Sequence, residues 1–502
     1  MIKENTNKAI AINSIIMYIR LLFISIIGLL TTRFALEALG VVNFGLFSVV
    51  GSVITFIGFI NTVMISTSNR YIAVAIGKNN PIEMNKAFNV NFIIHLFIAL
   101  FTLLIAYPVG NWYILNFIQF DGDINTAVQV YNITVLGSIL AFVGVPFNGL
   151  LMAKEKFIVF CLTDIVVHIF KAIFTYLLLF YFSDKLMAYA IIVALTTSVP
   201  TIVFIIYCYL KFPIICRFKF ICDKAYYLNI FSFSGWVAYG ALAYVAKSQG
   251  GALIVNMFFN TIMNTALGIA NSVNSILLMF SNNITKSISP QITKSYSSGN
   301  FKRAEELTIN ASRYSFFIML VCSIPLLVAP NLIYGLWLGK VPEFVVLFSS
   351  LIIVDTLINS LNIGVVDIVF ASGKIKKFQF IINTILLFSI IIAYIALKNG
   401  FPAYYLQIVY ILFTVVTVII RQVLLKHAVE IDNKKYLEMV FFPAFIISIL
   451  NVPIYFLKDN FSELLLLILS MLYEFCLIYI IGLSKSEKNK LNILLLKLIR
   501  YK

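Results

Sequence analysis

Long apolar runs recur along the whole chain and constrain its fold more than any other feature of the sequence. Each is long enough to cross the hydrocarbon core of a bilayer, about 30 Å thick, as a helix. A helix is expected because its backbone groups bond one another where no water is available. Hydrophobic residues make up 61% of the 502 residues, and charged residues only 12%, well below the share usual in a soluble domain. The sequence therefore predicts an all-α polytopic membrane protein.

We predict fourteen transmembrane spans from these runs. The first is too long for a signal-peptide core, and no small-residue cleavage site follows it, so we expect it to stay in the membrane. The spans cover residues 9–31, 42–64, 90–109, 127–149, 157–181, 187–209, 229–248, 262–284, 311–331, 345–369, 378–397, 403–420, 438–456 and 462–482.

Lysine and arginine residues predict the orientation of these spans. Of the 37 basic residues, twenty-nine fall on the side that holds both termini and six on the opposite side. Because cytoplasmic loops carry the excess of basic residues, we expect both termini to be cytoplasmic. The net charge of +16 is then a signal of topology and not of nucleic-acid binding, and basic loops also suit an anionic inner leaflet.

Two polar segments indicate an internal repeat. IGKNNPIEMNKAF at 76–88 follows span 2, and SYSSGNFKRAEEL at 295–307 follows span 8. One offset of 220 residues aligns Ile72 with Ile292, Asn80 with Asn300, the GV pairs at 144–145 with 364–365, and the lysines of AKEKF with those of SGKIKKF. This agreement predicts two parallel six-helix repeats followed by a C-terminal helix pair, spans 13 and 14. The expected domains are an N-terminal lobe at 1–210, a cytoplasmic linker at 211–228, a C-terminal lobe at 229–428, and the appended helix pair with its basic tail at 429–502.

Span 5 carries a stripe of polar side chains. Cys161, Asp164, His168, Lys171 and Thr175 recur at steps of three or four residues and therefore share one helix face. Ionisable groups inside a span are costly and usually face a bundle interior or an aqueous cavity. We favour a cavity lining that could couple to a proton. The alternative is an internally paired Asp164–Lys171 set that helps helices pack.

Other spans carry further polar candidates. Arg20 lies about midway along span 1, as a cavity-facing cation or a packed structural arginine. Lys247, near the outer end of span 7, is either a ligand contact or a lysine that reaches toward the interface. The remaining candidates for a wetted cavity wall or an ion-coupling site are Asn264 and Asn271 in span 8 and Asp355 and Asn359 in span 10.

The sequence offers no soluble-type active site. It contains no P-loop to hold a nucleotide, which argues against ATP hydrolysis by this chain. The three histidines are far apart and form no metal motif, and the six scattered cysteines are expected to be reduced. We therefore predict no catalytic residue, cofactor or metal site.

The run QGGALIVNMFFNTIMNTALGIANSVNSILLMFSNNITKSISPQITKSYSSGNFKRAEEL at 249–307 resembles the central region of bacterial polysaccharide-transport flippases. These are the O-antigen and capsule repeat-unit flippases of the multidrug/oligosaccharidyl-lipid/polysaccharide exporter superfamily. The matching elements are QG at 249–250, NMFF at 256–259, GIA at 268–270 and PQITKSY at 290–296. The runs at 31–53 and 231–236 are similar as well.

The resemblance implies a transporter of the bacterial inner membrane, and not an enzyme. Two helical bundles would enclose a cavity that opens alternately to either side. The implied substrate is an undecaprenyl-pyrophosphate-linked oligosaccharide for O-antigen, lipopolysaccharide, capsule or exopolysaccharide assembly, and the implied partners are membrane lipids, a polysaccharide polymerase and chain-length machinery. Such flippases are identified with cationic cavity residues, and by position and charge Arg20 and Lys171 would fill that role.

Two other functions stay open from the sequence. One is export of lipid II or of drugs by a member of the same superfamily, although a cationic cavity argues against cationic drugs. The other is an integral-membrane glycosyltransferase or polymerase, which would need activating carboxylates or a substantial outer loop. The longest outer loop, about 110–126, offers only Asp121 and Asp123 in a turn-like FDGDIN.

Overall fold

The computed structural model describes residues 2–59, 61, 63–64, 68, 71–72, 75, 80–154, 156–429, 433–456, 461–489 and 492–493. Side chains of residues 2–19 and of some later helical positions lie outside the description. The described part of the chain is helical and contains no strand. Contacts divide the chain into a first unit, Met1–Gly268 with Ile390–Ala403, and a second unit, Ile269–Ser389 with Tyr404–Lys502. The boundaries predicted for the lobes and the linker stay a prediction.

The helices follow one another with short connections. Those that begin in the first unit are α1 Ile2–Ile57, α2 Pro81–Phe117, α3 Ile124–Val143, α4 Val145–Ala153, α5 Phe157–Tyr181, α6 Lys185–Lys211, α7 Pro213–Cys216, α8 Lys224–Val245, a π-helical turn Ala246–Gly250, α9 Gly251–Phe258 and α10 Thr261–Ser297. Those that begin in the second unit are α11 Phe301–Val328, α12 Pro330–Leu338, α13 Val345–Ser360, α14 Ile363–Ser372, α15 Ile375–Lys398, α16 Tyr405–Ala428, α17 Asn433–Tyr436, a π-helical turn Leu437–Phe441, α18 Phe442–Phe456, α19 Glu463–Leu477 and a π-helical turn Ile478–Gly482.

Eleven helices of the described chain are long and apolar enough to cross a membrane. A twelfth span is added if α13 and α14, which meet at 41°, count as one broken span. These helices establish a multi-pass membrane protein. The predicted count of fourteen spans exceeds these twelve by two. Two predicted spans fall on the single helix α1, and the span predicted at 229–248 falls on α8, which is not among the eleven helices. Fourteen spans and the repeat layout stay predictions.

A single glycine divides α1. Gly40 has φ 72° and ψ 172°, outside the helical region, and the helix continues on both sides of it. The apolar part of α1 whose side chains the structure describes, Arg20–Ile57, has 38 residues. At 1.5 Å per residue this is about 57 Å, roughly twice the thickness of a hydrocarbon core. The loop predicted between spans 1 and 2 is therefore replaced by one kink, because a glycine can change the chain direction in one residue.

The linker predicted at 211–228 lies on the first part of α2. The Asn85 side chain donates to the carbonyl oxygens of Ile214, Ile215 and Arg217, at 3.1, 2.9 and 2.8 Å. Because amide donors can satisfy the free carbonyls that end a short helix, Asn85 fixes the end of α7. The backbone of the linker is thus hydrogen-bonded to the Asn85 side chain of α2.

An ion pair attaches the same linker at its far end. Lys86 Nζ lies 2.8 Å from an Asp223 carboxylate oxygen. The hydrogen bond from Lys86 lowers the pKa of Asp223, and the hydrogen bond from the Tyr226 backbone adds to that effect. Asp223 also caps the first turn of α8, so the carboxylate joins α2 to the start of α8.

In the second unit, α18 and α19 form the C-terminal helix pair and pack on α11. Phe317 and Leu320 of α11 are buried together with Ile447 of α18 and Leu477 of α19. The turn after α19 can approach α11 closely because residue 482 is a glycine. A Cβ atom at this position would lie 2.7 Å from a ring carbon of Phe317. The pair is therefore an integral part of the second unit.

We predict that Gly45→Ala lowers the stability of the protein. A Cβ atom at Gly45 would lie 1.9 Å from the Thr261 carbonyl oxygen and 2.7 Å from the Thr265 hydroxyl. Overpacking of this kind costs about 1–3 kcal/mol. Gly51→Ala is the matched control on the same helix, since no heavy atom of the described residues, apart from the adjoining helix backbone, lies within 4 Å of its added Cβ. Thermal unfolding midpoints in detergent measure both, and equal midpoints would contradict the close approach at Gly45.

Candidate functional site

Arg20 and Asp164 form the main charged contact inside the first unit. Arg20 Nε donates to Asp164 Oδ2 at 2.7 Å, and Arg20 Nη2 donates to the same oxygen. The two side chains are only 15% and 20% exposed. The guanidinium carbon also lies 4.4 Å from the centre of the Phe160 ring, a distance typical of a cation–π contact. The contact joins α1 to α5 and fixes the direction of the guanidinium.

The polar stripe of α5 is only partly paired. His168 Nδ1 donates to the Asp164 carbonyl oxygen at 2.8 Å and lies 3.5 Å from Asp164 Oδ1. Lys171 is half-buried one turn further on, where Thr175 donates to its carbonyl oxygen. Among the described residues the carboxylate of Asp164 pairs with Arg20 and His168, and no ion pair to Lys171 occurs. The predicted alternative, an Asp164–Lys171 pair, is therefore replaced by Asp164–Arg20.

Two other candidates of the first unit lie further along the chain. Lys247 is half-buried in the π-helical turn after α8. Asn264 is fully buried on α10, and its side-chain nitrogen donates to the Ala252 carbonyl oxygen at 2.8 Å. This bond joins α10 to α9, which is a packing contact. A role for either residue in a cavity wall stays a prediction.

In the second unit, the candidates on α13 face α16. Asp355 accepts a hydrogen bond from the Thr414 hydroxyl, and Asn359 Oδ1 accepts one from Arg421 Nη1 at 2.8 Å. Asn271 is half-buried on α10, and its carbonyl oxygen accepts from the Ser275 hydroxyl. Arg421 was missed as a candidate because its position fits a basic cytoplasmic loop. Its spacing of seven residues from Thr414 is the signal that places both on one face of α16.

A large apolar groove lies within the second unit. Its volume is about 1530 Å³, above the roughly 300–1,000 Å³ of ordinary small-molecule pockets. The walls come from α11, α13 and α18. Along α18 and the turn before it, the groove runs from Leu437 to Val452. That stretch is about 22 Å long at 1.5 Å per residue, most of the depth of a hydrocarbon core.

Most side chains that line the groove are hydrocarbon. Glu438 marks one end, and Asn331 and Glu343 mark the other, while Ser350, Ser448 and Asn451 are the polar residues between them. The sequence predicted the helix pair but not the groove, because residues that line an apolar groove and residues that face lipid have the same composition. No group of three His, Cys, Asp or Glu side chains in the described chain could hold a metal ion.

No protein-family model and no curated protein sequence matches the chain. Solved structures do match it. A multidrug resistance MATE family transporter of the MOP superfamily, in its inward-facing conformation, has a TM-score of 0.69 at 12% identity and covers 80% of this chain and 94% of its own. The lipid II flippase MurJ, in an inward closed conformation, has a TM-score of 0.65 at 15% identity, covering 93% of this chain and 99% of its own.

A further structure, a MATE family transporter of the MOP superfamily in its outward-facing conformation, has a TM-score of 0.59 at 15% identity. It covers 84% of this chain and 95% of its own. Sequence identities this low establish the fold alone. The chain therefore has the fold of MOP superfamily transporters and flippases, which agrees with the coarse level of the resemblance noted in residues 249–307.

We predict that Asp164→Asn destabilises the protein, because it leaves the Arg20 charge without its carboxylate. Removing one partner of a buried ion pair costs about 3–5 kcal/mol, and partial exposure places this pair toward the lower end. A double variant, Arg20→Met with Asp164→Asn, should recover much of the loss because neither charge remains. The measurement is the thermal unfolding midpoint in detergent.

The matched control for that prediction is Glu306→Gln. Its pair with Arg303 is 53% and 43% exposed, and exposed pairs contribute about 0–1 kcal/mol. If Asp164→Asn and Glu306→Gln shift the midpoint equally, the Arg20–Asp164 contact is not a stabilising pair.

Proposed function

We propose that this protein is a flippase that moves undecaprenyl-pyrophosphate-linked oligosaccharide repeat units across the bacterial inner membrane by alternating access. The apolar groove of the second unit carries this proposal, because a polyprenyl chain needs a long hydrocarbon surface while its head group is moved. The groove is about as deep as most of the hydrocarbon core and is polar mainly at its ends. A groove of this shape suits a chain that stays in contact with lipid.

The cation site of the first unit is proposed to bind the pyrophosphate. Lys171 supplies a charge with no carboxylate partner among the described residues. Arg20 has five N–H donors, and Asp164 occupies those of Nε and Nη2, so other donors remain for phosphate oxygens. Charge-assisted hydrogen bonds to phosphate are strong because both partners are ionised. Asp164 would then hold Arg20 in position rather than compete for the substrate.

The fold supports a lipid-linked substrate. The flippase structure covers 93% of this chain, whereas the two MATE transporter structures cover 80% and 84%. The membrane potential would assist export, since two negative charges that move outward gain about 4–5 kcal/mol per 100 mV if they cross unneutralised. A polymerase and chain-length machinery would use the exported unit on the outer face.

Rescue of a bacterial strain that lacks its repeat-unit flippase tests the proposal. We expect restored surface polysaccharide and loss of the accumulated lipid-linked oligosaccharide, identified by mass spectrometry. If the chain instead rescues a strain depleted of its lipid II flippase and not the first strain, the substrate is lipid II. If purified protein elongates glycans from lipid-linked donors, it is an enzyme and the proposal fails.

We predict that Arg20→Ala and Lys171→Ala each reduce repeat-unit export about tenfold or more. A hydrogen bond to a charged group is worth about 1.5–3 kcal/mol, which sets this scale. Lys156→Ala is the control, because Lys156 is exposed at the start of α5. Export is measured in the rescued strain at matched protein levels. Full export by both alanine variants would rule out the cation site.

A second prediction concerns the groove. Ser448→Trp should block export because the indole would fill part of the groove that Ser448 lines. Ile449→Trp is the control on the same helix, since Ile449 is 50% exposed and does not line the groove. Equal export by the two variants, at equal folded yield, would show that the groove holds no part of the substrate.

A further inference from the structure

A buried acid lies directly behind one wall of the groove. Glu474 on α19 is fully buried, and its Oε2 accepts a hydrogen bond from Asn451 Nδ2 at 2.6 Å. Asn451 lies on α18 and lines the groove. One amide side chain therefore separates the carboxyl group from the space that the proposed polyprenyl chain would occupy.

Two oxygen atoms of this pair lack hydrogen bonds. Glu474 Oε1 and Asn451 Oδ1 are both buried and have no hydrogen-bond partner among the described residues. Both atoms are acceptors when the acid is ionised, so neither can satisfy the other. A proton on Oε1 changes this, because the resulting hydroxyl is a donor and the amide oxygen is an acceptor on the neighbouring side chain. Two oxygens are too few to hold a metal ion.

Among the residues that the structure describes, no cation is placed to pair with Glu474. The first half of α11 carries Lys302, Arg303, Glu305, Glu306 and Arg313, and Arg313 is bound to Glu487. Other titratable groups lie on α19 and on the elements packed against it. They are Tyr314 and Cys322 on α11, Glu438 before α18, Tyr455 on α18, Glu463, Tyr473 and Cys476 on α19, and Tyr479 after α19. None is a base that could stay charged beside a carboxylate. An unpaired buried charge costs several kcal/mol, so a neutral acid fits this position.

We infer that Glu474 and Asn451 form a proton-binding site that is linked to the filling of the groove. The identity of the groove's occupant rests on the proposed function. A hydrocarbon chain beside Asn451 excludes water and favours the neutral acid, whereas water in an emptied groove lets Glu474 lose its proton at a lower pH than when the groove is filled. Linkage is reciprocal, so the proton strengthens binding of the chain and the chain strengthens binding of the proton.

Infrared spectroscopy of the protein in nanodiscs tests the proton site in the absence of a transport substrate. We expect a C=O stretching band of a protonated carboxyl group near neutral pH in the wild type and in the control Glu306→Gln. The band should be absent from Glu474→Gln. A wild type without the band, or a band that Glu474→Gln keeps, overturns the proton site.

Binding of a long-chain polyprenol tests the linkage, because this neutral alcohol does not itself titrate. For the wild type we expect binding to weaken as pH rises, by at most about tenfold per pH unit, the limit for one linked proton. Glu474→Gln keeps an amide donor in place of the acid and should bind tightly at every pH. Binding that does not change with pH in the wild type overturns the linkage.

The outcomes separate this inference from the proposed function. If no polyprenol binds at any pH, the groove is not a chain site, and both the linkage and the groove argument of the proposed function fail. The infrared band then still decides whether Glu474 binds a proton. If polyprenol binds with the expected pH dependence but the chain fails to rescue the flippase-deficient strain, the proton linkage stands and the proposed substrate does not.

Discussion

The lack of water inside a bilayer is the constraint on which this structure depends. A polar side chain within a span must find its partner in the protein, and that partner is often on another helix. Arg20 on α1 finds Asp164 on α5, and Asn359 on α13 finds Arg421 on α16. Asn362 reaches the Val418 carbonyl oxygen in the same way. These contacts link particular pairs of helices, in addition to the close packing seen at Gly45 and Gly482.

The sequence predicted the helical membrane fold, the positions of most long helices and the shared face of Asp164, His168 and Lys171. These features depend on composition and on periodicity within a few turns. The partner of Asp164 was not predictable, because Arg20 lies 144 residues away in the chain and periodicity assigns faces, not neighbours. For the same reason the linker was recognised by its composition at 211–228, but its attachment to Asn85 was not.

The groove shows a second limit of sequence reasoning. The apolar residues of α11, α13 and α18 give no sign of whether they face lipid, another helix or an open space. Only the rare polar residue carries that information. Glu474 and Asn451, separated by 23 positions, mark the place where the helix pair meets the groove wall. The second unit thus combines an apolar groove with one buried acid, Glu474, whose protonation we propose to depend on water in that groove.

The kink in α1 limits which residues the chain can carry at position 40. Gly40 combines φ 72° with ψ 172°, a backbone region that is essentially closed to residues with a Cβ atom. Asparagine, which tolerates the left-handed helical region, gains nothing here because ψ lies far from that region. Space is not the obstacle, since no heavy atom in the described part of the chain, apart from the adjoining helix backbone, lies within 4 Å of the position a Cβ would take. The direction in which the part of α1 before Gly40, which carries Arg20, leaves the part after it therefore depends on a residue whose Cα carries a second hydrogen atom in place of Cβ.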